Sequence, residues 1–181
     1  MAVSGRVTAL AERFMLARSV DAALPKLRAA WDQGLGFSVD LLGEACVSDA
    51  EAEEYQGRYV ALIETLGRAV RAWPANAVLE RDHLGPVPRA GVSVKISALS
   101  ARIRPADTEG SVARLLDMLR PVLDAAAREH VLLNFDMEQR ALKDLTIALF
   151  RRCCEAVDFP AALALQAYLR SGDDDAAELI A

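Results

Sequence analysis

Residues 91–97 read Gly-Val-Ser-Val-Lys-Ile-Ser, with Val92, Val94 and Ile96 on one parity and Ser93, Lys95 and Ser97 on the other. Alternate side chains of a strand point to opposite faces, so this run predicts a β-strand that is packed on one face and polar on the other. The run at 131–138 repeats the pattern, with Val131, Leu133, Phe135 and Met137 opposed to Leu132, Asn134, Asp136 and Glu138. Upstream, residues 36–45 set Phe37, Val39 and Leu41 against Ser38, Asp40, Leu42 and Glu44. Downstream, 162–168 (ALALQAY) is mostly apolar, and Gln166 is its one strongly polar side chain.

Between these runs the period lengthens to that of a helix. Ser48 and Glu51 make a capping box, and Tyr55, Tyr59, Leu62, Ile63, Leu66 and Val70 follow at helical spacing. A second stripe comprises Val112, Leu115, Leu116, Leu119, Val122, Leu123 and Ala126, with Pro121 predicting a kink. Leu142, Leu145, Leu149 and Cys153 form a third, and a fourth helix is expected from about Asp173. Ahead of the first strand, Val7, Leu10, Ala11 and Phe14, then Val20, Leu24, Leu27 and Trp31, predict two leading helices within residues 1–34. Residues 71–90 hold three of the seven prolines and read as a surface loop.

Strand and helix in alternation define an α/β chain with a parallel sheet. A doubly wound sheet, covered on both faces, should be apolar on both strand parities, and three of these strands are not. A (β/α)8 barrel accounts for the pattern: one parity packs on the outer helices, and the other lines the barrel, with polar groups gathered at the C-terminal strand ends. A whole barrel takes roughly 250 residues. Residues 35–181, with four strands, therefore read as about four βα units, the first half of a TIM-like barrel truncated after its fourth strand.

Composition narrows the function classes. The chain has 181 residues, 53% of them hydrophobic and 26% charged, which describes a globular sequence rather than a disordered one. With 26 acidic and 21 basic residues and a net charge of −5, it lacks the basic footprint that phosphate-backbone binding requires, so nucleic acid is excluded as a main partner. No apolar run approaches the ~20 residues of a membrane span. Arg6, Glu12 and Arg13 interrupt the stretch that a signal peptide would keep apolar, so a cytoplasmic location, at most peripheral to a membrane, is expected. Cys46, Cys153 and Cys154 have neither disulfide nor zinc spacing, which predicts free thiols and no metal site.

Lys95 is the first candidate for chemistry, because a lysine within an apolar strand must be paired or hydrogen-bonded. Asp136, on the inward parity of the next strand, is its natural partner; such a pair keeps the amine charged and suited to a substrate carboxylate. An unpaired, buried lysine would instead favour Schiff-base chemistry of the aldolase type. Asp40 and Glu44 share one strand parity and can both face the barrel mouth, and Gln166 offers a donor and an acceptor to a planar heterocycle. His83 and His130 read as surface residues, leaving no basis for a serine-histidine triad. Neither GxGxxG nor a Walker loop is present, so no nucleotide site of the glycine-rich type is indicated.

Taken in order and spacing, FSVDLLGEACVSDAEAEEYQGRYVALIETLG (37–67), GVSVKISAL (91–99), LLNFDME (132–138) and LALQAY (163–168) resemble the proline dehydrogenase domain, particularly that of bifunctional proline catabolism proteins. The resemblance runs from about Arg18 onward. It implies a distorted (β/α)8 barrel that holds FAD, oxidises L-proline to Δ1-pyrroline-5-carboxylate and passes the electrons to a membrane quinone. It also implies that Lys95 helps to hold the proline carboxylate, that Asp136 stands beside it in the flavin pocket, that Asp40 and Glu44 line the site and pair with a gating arginine, and that Gln166 lies near the flavin ring. An aldehyde dehydrogenase domain further along the parent polypeptide and homo-oligomerisation are further implied possibilities.

Two departures accompany the resemblance. The family's His-Pro-Arg-Tyr after the second strand reads Ser100-Ala101-Arg102-Ile103 here. The family's later strands, with a flavin-contacting arginine segment, and its last helix, with paired carboxylate-binding arginines, have no counterpart in these 181 residues. The expectation is therefore a fragment that is inactive on its own, against the alternatives of a Schiff-base lyase using Lys95 or a non-catalytic half-barrel.

Overall fold

A computed structural model describes residues 15–43 and 45–180. The elements run α1 (Val20–Asp32), β1 (Ser38–Asp40), α2 (Asp49–Arg71), β2 (Gly91–Val94), α3 (Thr108–Glu129), β3 (Leu132–Phe135), α4 (Lys143–Ala156), β4 (Ala161–Leu163) and α5 (Gly172–Ile180). The four strands form one parallel sheet in the order β1-β2-β3-β4, so each βα unit lays its strand beside the preceding one. This is the α/β, barrel-like arrangement that the alternating parities require.

The strands are shorter than the alternating runs that announce them. β2 stops at Val94, and a 3₁₀ turn over Ile96–Ala98 takes up the rest of the run. Ile96 nevertheless stays buried with the outward parity. Period-two polarity reports which way a side chain faces, and it persists for a few residues after the ladder of hydrogen bonds has ended.

Val92, Val94, Leu133 and Phe135 are fully buried and share one hydrophobic cluster with Leu62, Ile63 and Leu66 of α2, Leu115, Leu119 and Leu123 of α3, and Leu145 and Leu149 of α4. Ala23 and Leu27 of α1 join the same cluster. The earlier of the two leading stripes, Val7 to Phe14, lies outside the described residues.

Local signals set the helix ends. The Ser48 hydroxyl accepts from the Glu51 N–H at 3.3 Å, and the Glu51 carboxylate reaches back to the Val47 N–H at 2.8 Å. Asp107 caps α3 by accepting from the Gly110 N–H. At the other end of α3, His130 takes a left-handed conformation with φ 54° and closes the helix. Pro121 lies inside α3 without ending it. Gly67 allows α2 and α3 to approach: a Cβ placed there would stand 2.6 Å from the Glu129 Cβ.

The loop after α2 is tied down by Arg89. Its guanidinium donates to the carbonyls of Val70 and Trp73, at 2.9 and 3.0 Å, and to the Glu80 carboxylate at 2.9 Å. Trp31, Trp73 and Phe37 pack beside it as a tilted aromatic group. His83 and His130 are both exposed, as ordinary surface residues.

Candidate active site

The C-terminal ends of the strands gather the polar side chains of the inward parity. Asp40 is the last residue of β1; Lys95 and Asp136 immediately follow β2 and β3; Gln166 lies three residues beyond β4. Along β2 and β3 this parity builds successive cross-strand contacts. The Asn134 amide donates to Ser93 Oγ at 3.3 Å, Lys95 Nζ donates to Asp136 Oδ2 at 3.1 Å, and Ser97 Oγ donates to Glu138 Oε2 at 2.6 Å. Asn134 also donates to Asp136 Oδ1 at 2.8 Å, orienting that carboxylate toward the lysine.

Lys95 has a second carboxylate partner, Asp40, whose Oδ1 lies 2.5 Å from Nζ. The side chains of Lys95, Asp40 and Asp136 are 20%, 40% and 26% exposed, so the cluster is partly open to solvent. Burial by itself would lower the lysine pKa, but the hydrogen bonds that Nζ donates to Asp40 and Asp136 outweigh it and hold the ammonium above its usual value. A Schiff base needs a neutral amine, and this environment keeps the amine charged.

An ammonium has three donors. Asp40 and Asp136 take two of those on Lys95 and leave one for an incoming anionic group.

Gln166 donates through Nε2 to the Met137 carbonyl at 3.3 Å, while its Oε1 is buried and has no partner among the described residues. A buried acceptor without a donor costs about 1–3 kcal/mol, so this oxygen is suited to a ligand N–H. Glu44 lies outside the described residues. The loop that carries it is closely fitted on either side. A Cβ on Gly43 would collide with the Tyr55 ring, and the Cys46 N–H donates to the Ser97 carbonyl at 3.0 Å.

Three features of the site escaped the sequence reading. The Asp40–Lys95 contact joins two residues that parity places on one face without matching them as partners. Ser97 and Glu138 carry a detectable signal, being polar on the same parity one step beyond Lys95 and Asp136. Tyr59 gives no such signal: it sits in an apolar helix stripe, yet its hydroxyl accepts from the Lys95 backbone N–H at 3.2 Å. The cysteines hold no comparable place. All three are free, and burial pushes the Cys153 thiol up to about 12, well above the range of a reactive thiolate.

A parallel βα chain with its charged and amide side chains collected at the C-terminal strand ends has the arrangement of the barrel folds that build their sites on that face. The proline dehydrogenase family model matches residues 23–181, and the chain belongs to that family. Among curated relatives, the bifunctional protein PutA of Salmonella typhimurium is 27% identical over 145 residues, and that of Escherichia coli is 26% identical over the same length. Each alignment covers 80% of this chain and 10% of the relative.

Among solved structures, proline utilization A from Bdellovibrio bacteriovorus inactivated by N-propargylglycine matches with a TM-score of 0.91 and 35% identity, over 98% of this chain and 19% of that one. A variant of the Bradyrhizobium japonicum protein shares the fold with a TM-score of 0.67 at 23% identity, over 90% of this chain and 16% of that one. The chain thus spans about a tenth of the curated relatives' length and about a fifth of the first of these solved proteins.

Proposed function

We propose that this chain supplies one wall of a site that oxidises L-proline to Δ1-pyrroline-5-carboxylate with FAD, in a longer protein that passes the electrons to a membrane quinone. The observation that carries the reading is the Lys95 cluster: a lysine kept charged by Asp40 and Asp136, with one donor left at the mouth of the sheet. That donor takes one oxygen of the proline carboxylate. The two aspartates hold the ammonium in place and keep its charge.

The residues fit the flavin as well as the substrate. Gln166 would help to hold the flavin, its buried Oε1 having no partner among the described residues and being able to accept from a ligand N–H; in this reading Asp136 would stand beside the same cofactor. FAD, when bound, supplies the two-electron acceptor for the hydride that leaves the proline ring carbon as its C=N bond forms. The ring nitrogen loses its proton in the same overall oxidation. In this reading Glu44, with Asp40, guards the entrance, and Lys95 fixes the substrate's orientation before the hydride leaves.

The relatives' name, bifunctional, supports a second catalytic domain in the parent protein, and the resemblance makes it an aldehyde dehydrogenase. No described helix is long and apolar enough to cross a membrane. The proposed contact with quinone is a peripheral one, from the cytoplasmic side. β4 pairs with a strand on one side only, so the remaining strands of the barrel would extend the sheet there.

The experiment compares this chain with the same chain extended by ~150 residues of its parent sequence, enough for a typical barrel. The extended protein should carry visible flavin absorbance and reduce a dye when proline is added, while the 181 residues alone should bind FAD poorly and turn over little. An extended protein without flavin and without proline-dependent reduction would overturn the proposal.

A further inference from the structure

The ladder of β1 on β2 ends where Asp40 stands opposite Ser93, so no residue of β1 faces Lys95 in the register. The backbone N–H of Lys95 is met instead by a side chain from a helix: Tyr59 Oη of α2, at 3.2 Å. Tyr59 is 0% exposed, and burial raises the pKa of its phenol, so the group is a neutral hydroxyl at ordinary pH.

On its other flank the segment is held by the Asp136 N–H, which donates to the Val94 carbonyl at 3.0 Å. The Lys95 carbonyl accepts from the Ala98 N–H at 3.1 Å. The root of the lysine is thereby fixed on every polar atom, and Tyr59 provides the only one of these contacts that comes from outside the β2–β3 region.

We propose that Tyr59 is a positioning residue: its hydroxyl takes the place of the missing strand partner and sets the height of the Lys95 ammonium between Asp40 and Asp136, and through it the affinity for the substrate carboxylate. The inference rests on the reading of Lys95 as the carboxylate-binding group. Removal of the hydroxyl leaves a partly buried N–H without its acceptor, and the segment must shift to find another. The lysine stem carries that shift to the ammonium. A small displacement of a substrate-orienting group weakens binding while leaving the flavin in place.

The test uses the flavin-loaded full-length protein that contains this chain, with Tyr59→Phe, Lys95→Ala and Leu149→Ala prepared in parallel. Tyr59→Phe keeps the ring and deletes one oxygen; Leu149→Ala is an equally buried deletion on α4 that reports general loosening. Tyr59→Phe should raise the KM for proline ~3- to 10-fold with kcat changed less than about twofold. Flavin content should be unchanged, and the Lys95 amide should exchange faster with deuterium. Leu149→Ala should lower thermal stability without raising the KM.

A wild-type KM in Tyr59→Phe, while Lys95→Ala raises it, would overturn the role of Tyr59 and leave that of Lys95 standing. An equal rise in Leu149→Ala would also overturn it, because general loosening would then explain the effect. A wild-type KM in Lys95→Ala would overturn the reading of the lysine and the inference built on it.

Discussion

Lys95 concentrates the account at the scale of single residues. Its ammonium lies between two carboxylates, and its net preference for the charged form is a balance: burial opposes the charge, and the hydrogen bonds it donates to Asp40 and Asp136 prevail. Because the folded-state pKa is raised, the stability contributed by the cluster is complete below the unfolded value of about 10.4 and is lost as the pH rises through the higher folded value. Wild type should therefore lose stability more steeply than Lys95→Met at alkaline pH, measured as denaturation midpoints on either side of about pH 10.5. Parallel curves would show that the lysine gains nothing from its partners.

The facing of Lys95 and Asp136 was legible because both the polar parity of the two strands and the opposite charges pointed the same way. The contact with Asp40 was not, since it depends on how far the lysine stem reaches back past Ser93 toward the end of β1.

At the scale of elements, α2 carries much of the architecture. Arg89 meets carbonyls at the C-terminal end of this helix, where the last turn leaves acceptors without helical donors. Arg89→Ala should lower the unfolding free energy by about 1–3 kcal/mol, measured by denaturant unfolding, with the loop over 72–90 exchanging faster with deuterium. An unchanged midpoint would show that the loop holds its place without the arginine.

Gly67 sets the spacing between α2 and α3. Alanine would gain roughly 1 kcal/mol of helix propensity, but its methyl would stand 2.6 Å from the Glu129 Cβ. Overpacking of this kind costs typically 1–3 kcal/mol. Gly67→Ala should therefore lower Tm, and a rise would mean that the two helices part without penalty.

The helices were readable in the sequence because their apolar stripes are long and their caps explicit, as with Ser48 and Glu51. The strand ends were harder to place. In GVSVKIS the alternation runs on through Ser97, whereas the ladder with β1 stops at Ser93, that with β3 stops at Val94, and a 3₁₀ turn takes over at Ile96. Arg89 shows another limit of sequence reading: besides the Glu80 carboxylate it meets backbone carbonyls 16 and 19 residues away, and no side-chain pattern advertises those two.

Across the whole molecule, the parallel sheet has β1 at one edge and β4 at the other, with the polar side chains of four successive βα units at one end. Lys143 of α4 binds Asp175 of α5 at 2.7 Å, and Arg151 binds Glu178 at 2.7 Å, so α5 is fastened to the preceding unit. This common framework places Lys95 and Gln166 at the same end of the sheet; in the proposed reading the first meets the substrate carboxylate and the second the flavin edge. The central claim is that the lysine orients the substrate without being needed to hold the cofactor.

The direct measurement is an anaerobic titration of flavin absorbance with L-proline in the full-length protein, for wild type and Lys95→Ala. The account predicts full flavin content in both proteins, with the half-bleaching proline concentration raised roughly tenfold or more in the variant, the loss of a charge-assisted hydrogen bond. Half-bleaching at the wild-type concentration, or loss of flavin in step with loss of proline response, would contradict it.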